Sequence, residues 1–114
     1  MVRKSSQMQV RYREHVADGK GLLFSQDIFL ESEMADKARM CSKITLPAGS
    51  SIGTHAHVQD AELYYVLKGE LKVVDNGKEY SLHTGDAVFT ALGGTHSVSN
   101  ETDSAAEFLA VIIK

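Results

Sequence analysis

The stretch Glu70-Leu71-Lys72-Val73-Val74-Asp75-Asn76-Gly77-Lys78-Glu79-Tyr80-Ser81-Leu82-His83 decides the fold class. Leu71 and Val73 alternate with Glu70 and Lys72, and Tyr80 and Leu82 resume the alternation after a break. A period of two is that of a strand, whose successive side chains point to opposite faces. The break, Asp75-Asn76-Gly77, supplies residues that tolerate positive φ, which a tight hairpin requires. The stretch predicts an antiparallel hairpin.

Further turn signals recur at short intervals on both sides of it: Pro47-Ala48-Gly49, Lys68-Gly69, Gly85-Asp86 and Gly93-Gly94. The segments between them are too short for ordinary helices and rich in Val, Tyr, Leu, Thr and Phe, a spacing that predicts an all-β sandwich or barrel. Met40, Ser42, Ile44 and Leu46 alternate with Arg39, Cys41, Lys43 and Thr45, so Cys41 faces away from the inner side and has no matched base. Nearer the amino terminus, Gly19-Lys20-Gly21 reads as a turn, Leu22 to Leu30 as a strand, and Glu31 to Ala38 as a loop or single helical turn. Leu63 to Leu67 and Phe108 to Ile113 are apolar on both faces. Such strands need outer cover, from the amino-terminal strands or from a second copy in a homodimer.

With 114 residues the chain suits one domain, residues 1–35 forming amino-terminal strands or an extension and 36–114 the barrel core. Its net charge of −3 supplies no basic field for nucleic acid. The one cysteine, Cys41, cannot form an intrachain disulfide. The polar start, Met1 to Val10, does not read as a signal peptide, and the longest apolar run is the six residues from Phe108 to Ile113. The expectation is a cytoplasmic protein without a membrane span.

The residues with chemistry are His55, His57, Glu62 and His96. On a strand, His55 and His57 project from one face about 6–7 Å apart. Glu62 follows across Val58-Gln59-Asp60-Ala61, polar enough for a turn or bulge that returns a carboxylate to that face. Imidazole and carboxylate suit borderline-to-hard divalent ions, and four such ligands leave open positions on a six-coordinate ion.

Gly49, His55, His57, Glu62 and Gly69 have the layout of the first cupin motif, and Gly85, Ala91, Gly93, His96 and Asn100 that of the second. Fifteen residues separate Gly69 from Gly85, so over residues 49–100 the chain resembles a small single-domain cupin. Ala91 stands where the family has proline, a departure that touches the turn before His96 rather than ligation. The resemblance implies an antiparallel double-sheet jelly-roll β-barrel. It also implies one divalent transition metal at an open end, held by His55, His57, Glu62 and His96. Manganese or iron come first, with nickel, cobalt, zinc or copper used by other members. The motif glycines are implied to form turns, and Asn100 to tie neighbouring backbone. His15 and His83 are expected at the surface.

Tyr64 shares a strand face with Glu62, which points it towards the metal either as a packed core residue or as a catalytic group. Met40, Ser42, Val98 and Phe108 are expected beside it as pocket lining. The function implied is a metal-dependent enzyme of isomerase, decarboxylase or dioxygenase type, acting on a small oxygenated metabolite such as a sugar or organic acid. The alternative is a non-catalytic module that binds or senses such a ligand in the same pocket. A third reading has the four ligands fill a tetrahedral zinc as a structural staple.

Overall fold

Asp75 and Lys78 pair across a two-residue turn in which Asn76 has φ 49° and Gly77 φ 81°. Two left-handed central residues give the turn whose twist matches the flanking strands, so the deciding stretch forms the expected hairpin. The structure, a computed structural model, describes residues 1–114. Ten strands follow in order: β1 (Val10–Glu14), β2 (Leu22–Phe29), β3 (Ala38–Leu46), β4 (Ser51–Ala56), β5 (Ala61–Lys68), β6 (Glu70–Asp75), β7 (Lys78–His83), β8 (Ala87–Thr90), β9 (Thr95–Ser99) and β10 (Ala106–Ile113). Glu31–Glu33 forms a single 3-10 turn. No helix is long and apolar enough to cross a membrane.

The strands make two antiparallel sheets, ordered β1-β2-β3-β10-β5-β8 and β4-β9-β6-β7. Between them lies one buried cluster that takes Ile44, Tyr64, Val66 and Phe108 from the larger sheet and Ile52, Leu71, Val73 and Val98 from the smaller. This is the double-sheet jelly roll. Each large side chain so buried contributes roughly 1.5–3 kcal/mol relative to exposure. Asn100, 1% exposed, closes one end: its amide nitrogen donates to the Leu46 and Ser104 carbonyls at 2.9 and 2.7 Å. Its amide oxygen accepts from the Thr102 N–H and hydroxyl.

The two doubly apolar segments become β5 and β10, neighbours in the larger sheet. Their inward residues fill the core, while Tyr65 and Leu67 stay 42% and 41% exposed on the outer face. The amino-terminal strands do not cover that face. They pair edge to edge onto β3 and lengthen the same sheet.

A polar junction ties that extension to the barrel. Arg11 on β1 donates from Nε and Nη2 to Asp27 on β2 at 2.7 and 2.9 Å, and the Ser42 hydroxyl on β3 donates to the same carboxylate at 2.9 Å. The Arg11 hydrogen bonds hold the Asp27 carboxyl below its ordinary value, against the opposing effect of burial. A lowered folded-state value means stability that is present above the unfolded value of 3.8 and lost as pH falls through the folded one. Asp27→Asn should therefore cost about 1 kcal/mol near neutral pH, the half-exposed Arg11 limiting the loss. In urea titrations from pH 7 to pH 3 the gap between variant and wild type should close below about pH 4; a gap independent of pH would contradict this role.

Candidate metal centre

His55 lies on β4, His57 one residue beyond its end, Glu62 second in β5 and His96 second in β9. Antiparallel pairing of β4 with β9 sets His55 directly against His96. The turn after His57 then reverses the chain so that Glu62 comes back to the same point, as its spacing suggests. The ligating atoms of the four residues all lie within 4.8 Å of one another. Glu62 Oε1 is 3.0 Å from His57 Nε2, 2.9 Å from His96 Nε2 and 3.8 Å from His55 Nε2. His96 Nε2 is 3.1 Å from His57 Nε2 and 3.0 Å from His55 Nε2. Three of the side chains are buried; that of His55 is 28% exposed and marks the open side.

The opposite ring nitrogens fix what these atoms can be. His55 Nδ1 is 2.8 Å from the Gly53 carbonyl oxygen, and His57 Nδ1 is 2.7 Å from Asp60 Oδ1. Both partners are acceptors, so both Nδ1 atoms carry the proton. His96 Nδ1 is 2.8 Å from Thr90 Oγ1, whose own hydrogen is donated to Asp75 Oδ1 at 2.7 Å, so His96 Nδ1 must donate too. In the neutral rings, then, three Nε2 lone pairs and a carboxylate oxygen crowd one buried point with no hydrogen among them. A cation is what satisfies such a cluster, and three imidazoles with one carboxylate fit a divalent transition ion.

With protonated rings in place of a metal ion, Glu62 is their counter-charge. Burial pushes the Glu62 carboxyl up, yet the imidazoles of His55 and His96 outweigh it and hold the group down to about 2. Glu62 raises the value of His55 against the lowering effect of burial. Asp60, which orients His57, is itself paired with Arg39. Tyr64 stacks on His96 with ring centroids 4.8 Å apart, and its hydroxyl lies 3.4 Å from His96 Nε2. Burial, then the Glu62 charge, pushes the Tyr64 phenol well above its ordinary value, so it stays protonated.

A cleft of about 320 Å³ opens onto this cluster. Met40 and Tyr64 line it, as their alternation predicts, with Ile44 and Ile52 as further apolar wall. The other three residues expected as lining lie elsewhere. Ser42 is buried and turned to Asp27. Val98 and Phe108 are 1% and 0% exposed in the core, Phe108 packing on the Tyr64 ring at 4.7 Å. Alternation tells which face a residue takes but not which neighbours enclose it: Ser42, between Met40 and Ile44, is taken up by Asp27, and Val98 and Phe108 are enclosed by the core. His15 and His83 are exposed.

Sequence reading passed over Asp60, Thr90, Asp75, Arg13 and Arg39. Asp60 had a signal, standing three residues after His57 in the turn that must carry Glu62 back. Thr90 and Asp75 had none, because only the pairing of Glu62 with Thr90 and of Asp75 with His96 brings them to the ring. Thr90→Val keeps the shape and removes the hydroxyl between them. It should leave the barrel folded and weaken Co²⁺ binding about 10–100-fold by calorimetry. Unchanged affinity would show that His96 needs no such orientation.

Comparison with known proteins agrees with this geometry. The family model described as "Cupin domain" matches residues 42–112, a span that includes all four residues of the cluster. The chain is 39% identical over 113 residues to the "Oxalate-binding protein" of Thermotoga maritima, covering 99% of this chain and 93% of that one. A crystal structure of a "predicted oxalate decarboxylase" from Thermotoga maritima superposes with a TM-score of 0.95 at 39% identity, covering 99% of this chain and 98% of that one. A cupin protein from Bacteroides fragilis superposes with a TM-score of 0.66 at 31% identity, covering 75% and 73% of the two chains. From the matched domain, the shared fold and the full-length relative, the chain belongs to the cupin family.

Proposed function

We propose that this cupin binds a small dicarboxylate of the oxalate class through a divalent transition ion held by His55, His57, Glu62 and His96. The observation that carries the reading is the convergence of three Nε2 atoms, each ring having its Nδ1 turned to an outside acceptor, with Glu62 beside a small, partly apolar cleft with arginines in its wall. A bound ion supplies the Lewis-acid attraction that a carboxylate oxygen requires. The protein supplies the rest: oriented imidazoles, positive charge from Arg13, and apolar walls that strengthen both by limiting water. The name of the Thermotoga maritima relative, an oxalate-binding protein, points to the same ligand class.

Binding is better supported than turnover. Apart from His55, His57, Glu62 and the arginines, Tyr64 is the sole titratable side chain lining the cleft. Its raised value makes it a hydrogen-bond donor and a poor base near neutral pH. A decarboxylase, isomerase or dioxygenase reaction on this frame would draw its proton chemistry from Tyr64 or from water. Oxalate titrated into Mn²⁺-loaded protein should bind with one site per chain, and the chelator-treated protein should not bind it. Equal binding with and without Mn²⁺ would contradict the proposal. Under binding alone, oxalate should also persist unchanged during prolonged incubation with the loaded protein; its loss in many-fold excess over the protein would establish the enzyme reading.

The outer face of the larger sheet completes the picture as the seam of a homodimer. Tyr65, Leu67 and Phe89 are 42%, 41% and 55% exposed there, on the adjacent strands β5 and β8. Analytical ultracentrifugation at micromolar concentration should give twice the 12.4 kDa chain mass; a single species at the chain mass would rule the dimer out.

A further inference from the structure

One wall of the cleft comes from residues 13–19, outside the matched cupin span. Arg13 stands near the end of β1, and Val16 and Ala17 follow in the turn after it; all three line the cleft. That turn is unusual in its backbone: His15, Ala17 and Asp18 have φ of 48°, 51° and 61°, and none is glycine. Side chains rarely adopt this region, and a cluster of such residues persists only where its surroundings hold it. The holding is visible. The Ala17 carbonyl oxygen lies 1.9 Å from where a Cβ on Gly53 would be, and the Ser51 carbonyl oxygen 2.2 Å from where one on Gly19 would be. Only glycine at both positions lets the turn seat against β4. Gly53 is also the residue whose carbonyl receives His55 Nδ1–H. The turn is therefore docked on the same backbone that orients a cluster histidine.

The arginines of this region differ in what they already hold. Arg11 is engaged by Asp27, and Arg39 by Asp60. The Arg13 side chain makes no hydrogen bond or close ion pair, its charge acting on Asp27 only at longer range, although it is half-buried in the cleft wall. It lines the same cleft as His55, His57, Glu62 and Tyr64. Charge bookkeeping then narrows the ligand. Among the residues lining the cleft, a divalent ion with Glu62 leaves one net positive charge and Arg13 adds a second, Arg39 being offset by Asp60 outside the cleft and Asp75 standing behind Thr90. Two positive charges beside the apolar side chains of Met40, Ile44 and Ile52 suit a small dianion better than a sugar or a monoacid.

We infer that Arg13 is the specificity-determining residue of this site: its guanidinium takes the far carboxylate of a dicarboxylate whose near end occupies the four-residue centre. This rests on the proposed metal-dependent binding and adds which residue chooses the ligand. A planar guanidinium matches a carboxylate with two parallel hydrogen bonds, a geometry that lysine cannot reproduce.

The test is calorimetry on the full chain loaded with Mn²⁺, comparing wild type with Arg13→Gln and Arg13→Lys. The ligands are oxalate, a dianion, and glycolate, a monoanion that lacks the second carboxylate. Mn²⁺ affinity is measured separately for each variant. Wild type should prefer oxalate to glycolate. In Arg13→Gln, oxalate affinity should fall at least about tenfold while glycolate and Mn²⁺ affinities stay within about twofold, and Arg13→Lys should fall between. Oxalate affinity unchanged in Arg13→Gln, with wild type binding normally, overturns this inference and leaves the proposed function standing. Parallel loss of Mn²⁺ affinity in Arg13→Gln overturns it as well, because Arg13 would then support the centre rather than select the ligand. A wild type that holds Mn²⁺ and binds neither acid overturns the proposed function, and this inference with it.

Discussion

Three outward-facing hydrogen bonds govern the site. Gly53, Asp60 and Thr90 each accept the Nδ1 proton of one histidine, leaving His55, His57 and His96 with bare Nε2 atoms turned on one another and on Glu62. With neutral rings and no cation this cluster has lone pairs and no hydrogens, an arrangement that costs free energy in a buried place. The acceptors come from three different sources: a strand carbonyl, a carboxylate braced by Arg39, and a hydroxyl braced by Asp75. Gly53 is held within β4, Asp60 by Arg39 and Thr90 by Asp75, so the tautomers follow from the fold itself.

The fold serves that arrangement through register. Pairing of β4 with β9 brings His55 to His96, and pairing of β5 with β8 brings Glu62 to Thr90. Pairing of β6 with β9 brings Asp75 to His96. A slip of one residue in any of these would turn the ligand to the wrong face. The tight Asn76-Gly77 turn and the buried Asn100 amide, which ties the end of β9 to the end of β3, guard the register from both ends of the smaller sheet.

Much of this was legible in the residues. The hairpin at 70–83, the strand at 40–46 and the turns between them follow from period-two alternation and glycine placement. The four cluster residues follow from the spacing of the two motifs. What stayed hidden depends on pairing between distant strands. Thr90 and Asp75 carry no mark until β5–β8 and β6–β9 are in register, and Arg13 none until the strained turn at 15–18 seats on Gly53. Ser42, Val98 and Phe108 show the complementary limit: their face was readable, the neighbours that enclose them were not. The outer face of β5 and β10 also escaped, since an apolar pattern announces a need for cover without saying whether the same chain provides it.

These features describe a cupin whose amino-terminal extension does more than lengthen a sheet. Arg11, Asp27 and Ser42 fasten β1 to the barrel, and β1 in turn presents Arg13 to the cleft. The central claim is that the four converging ligands hold a functional ion. Elemental analysis of untagged protein purified without chelator, beside His57→Ala, tests it most directly. The account predicts near-stoichiometric divalent transition metal in wild type, lost in the variant while circular dichroism shows an intact β fold. Equal metal content in the two proteins, or none in wild type even after incubation with Mn²⁺, Fe²⁺ and Co²⁺, would contradict it.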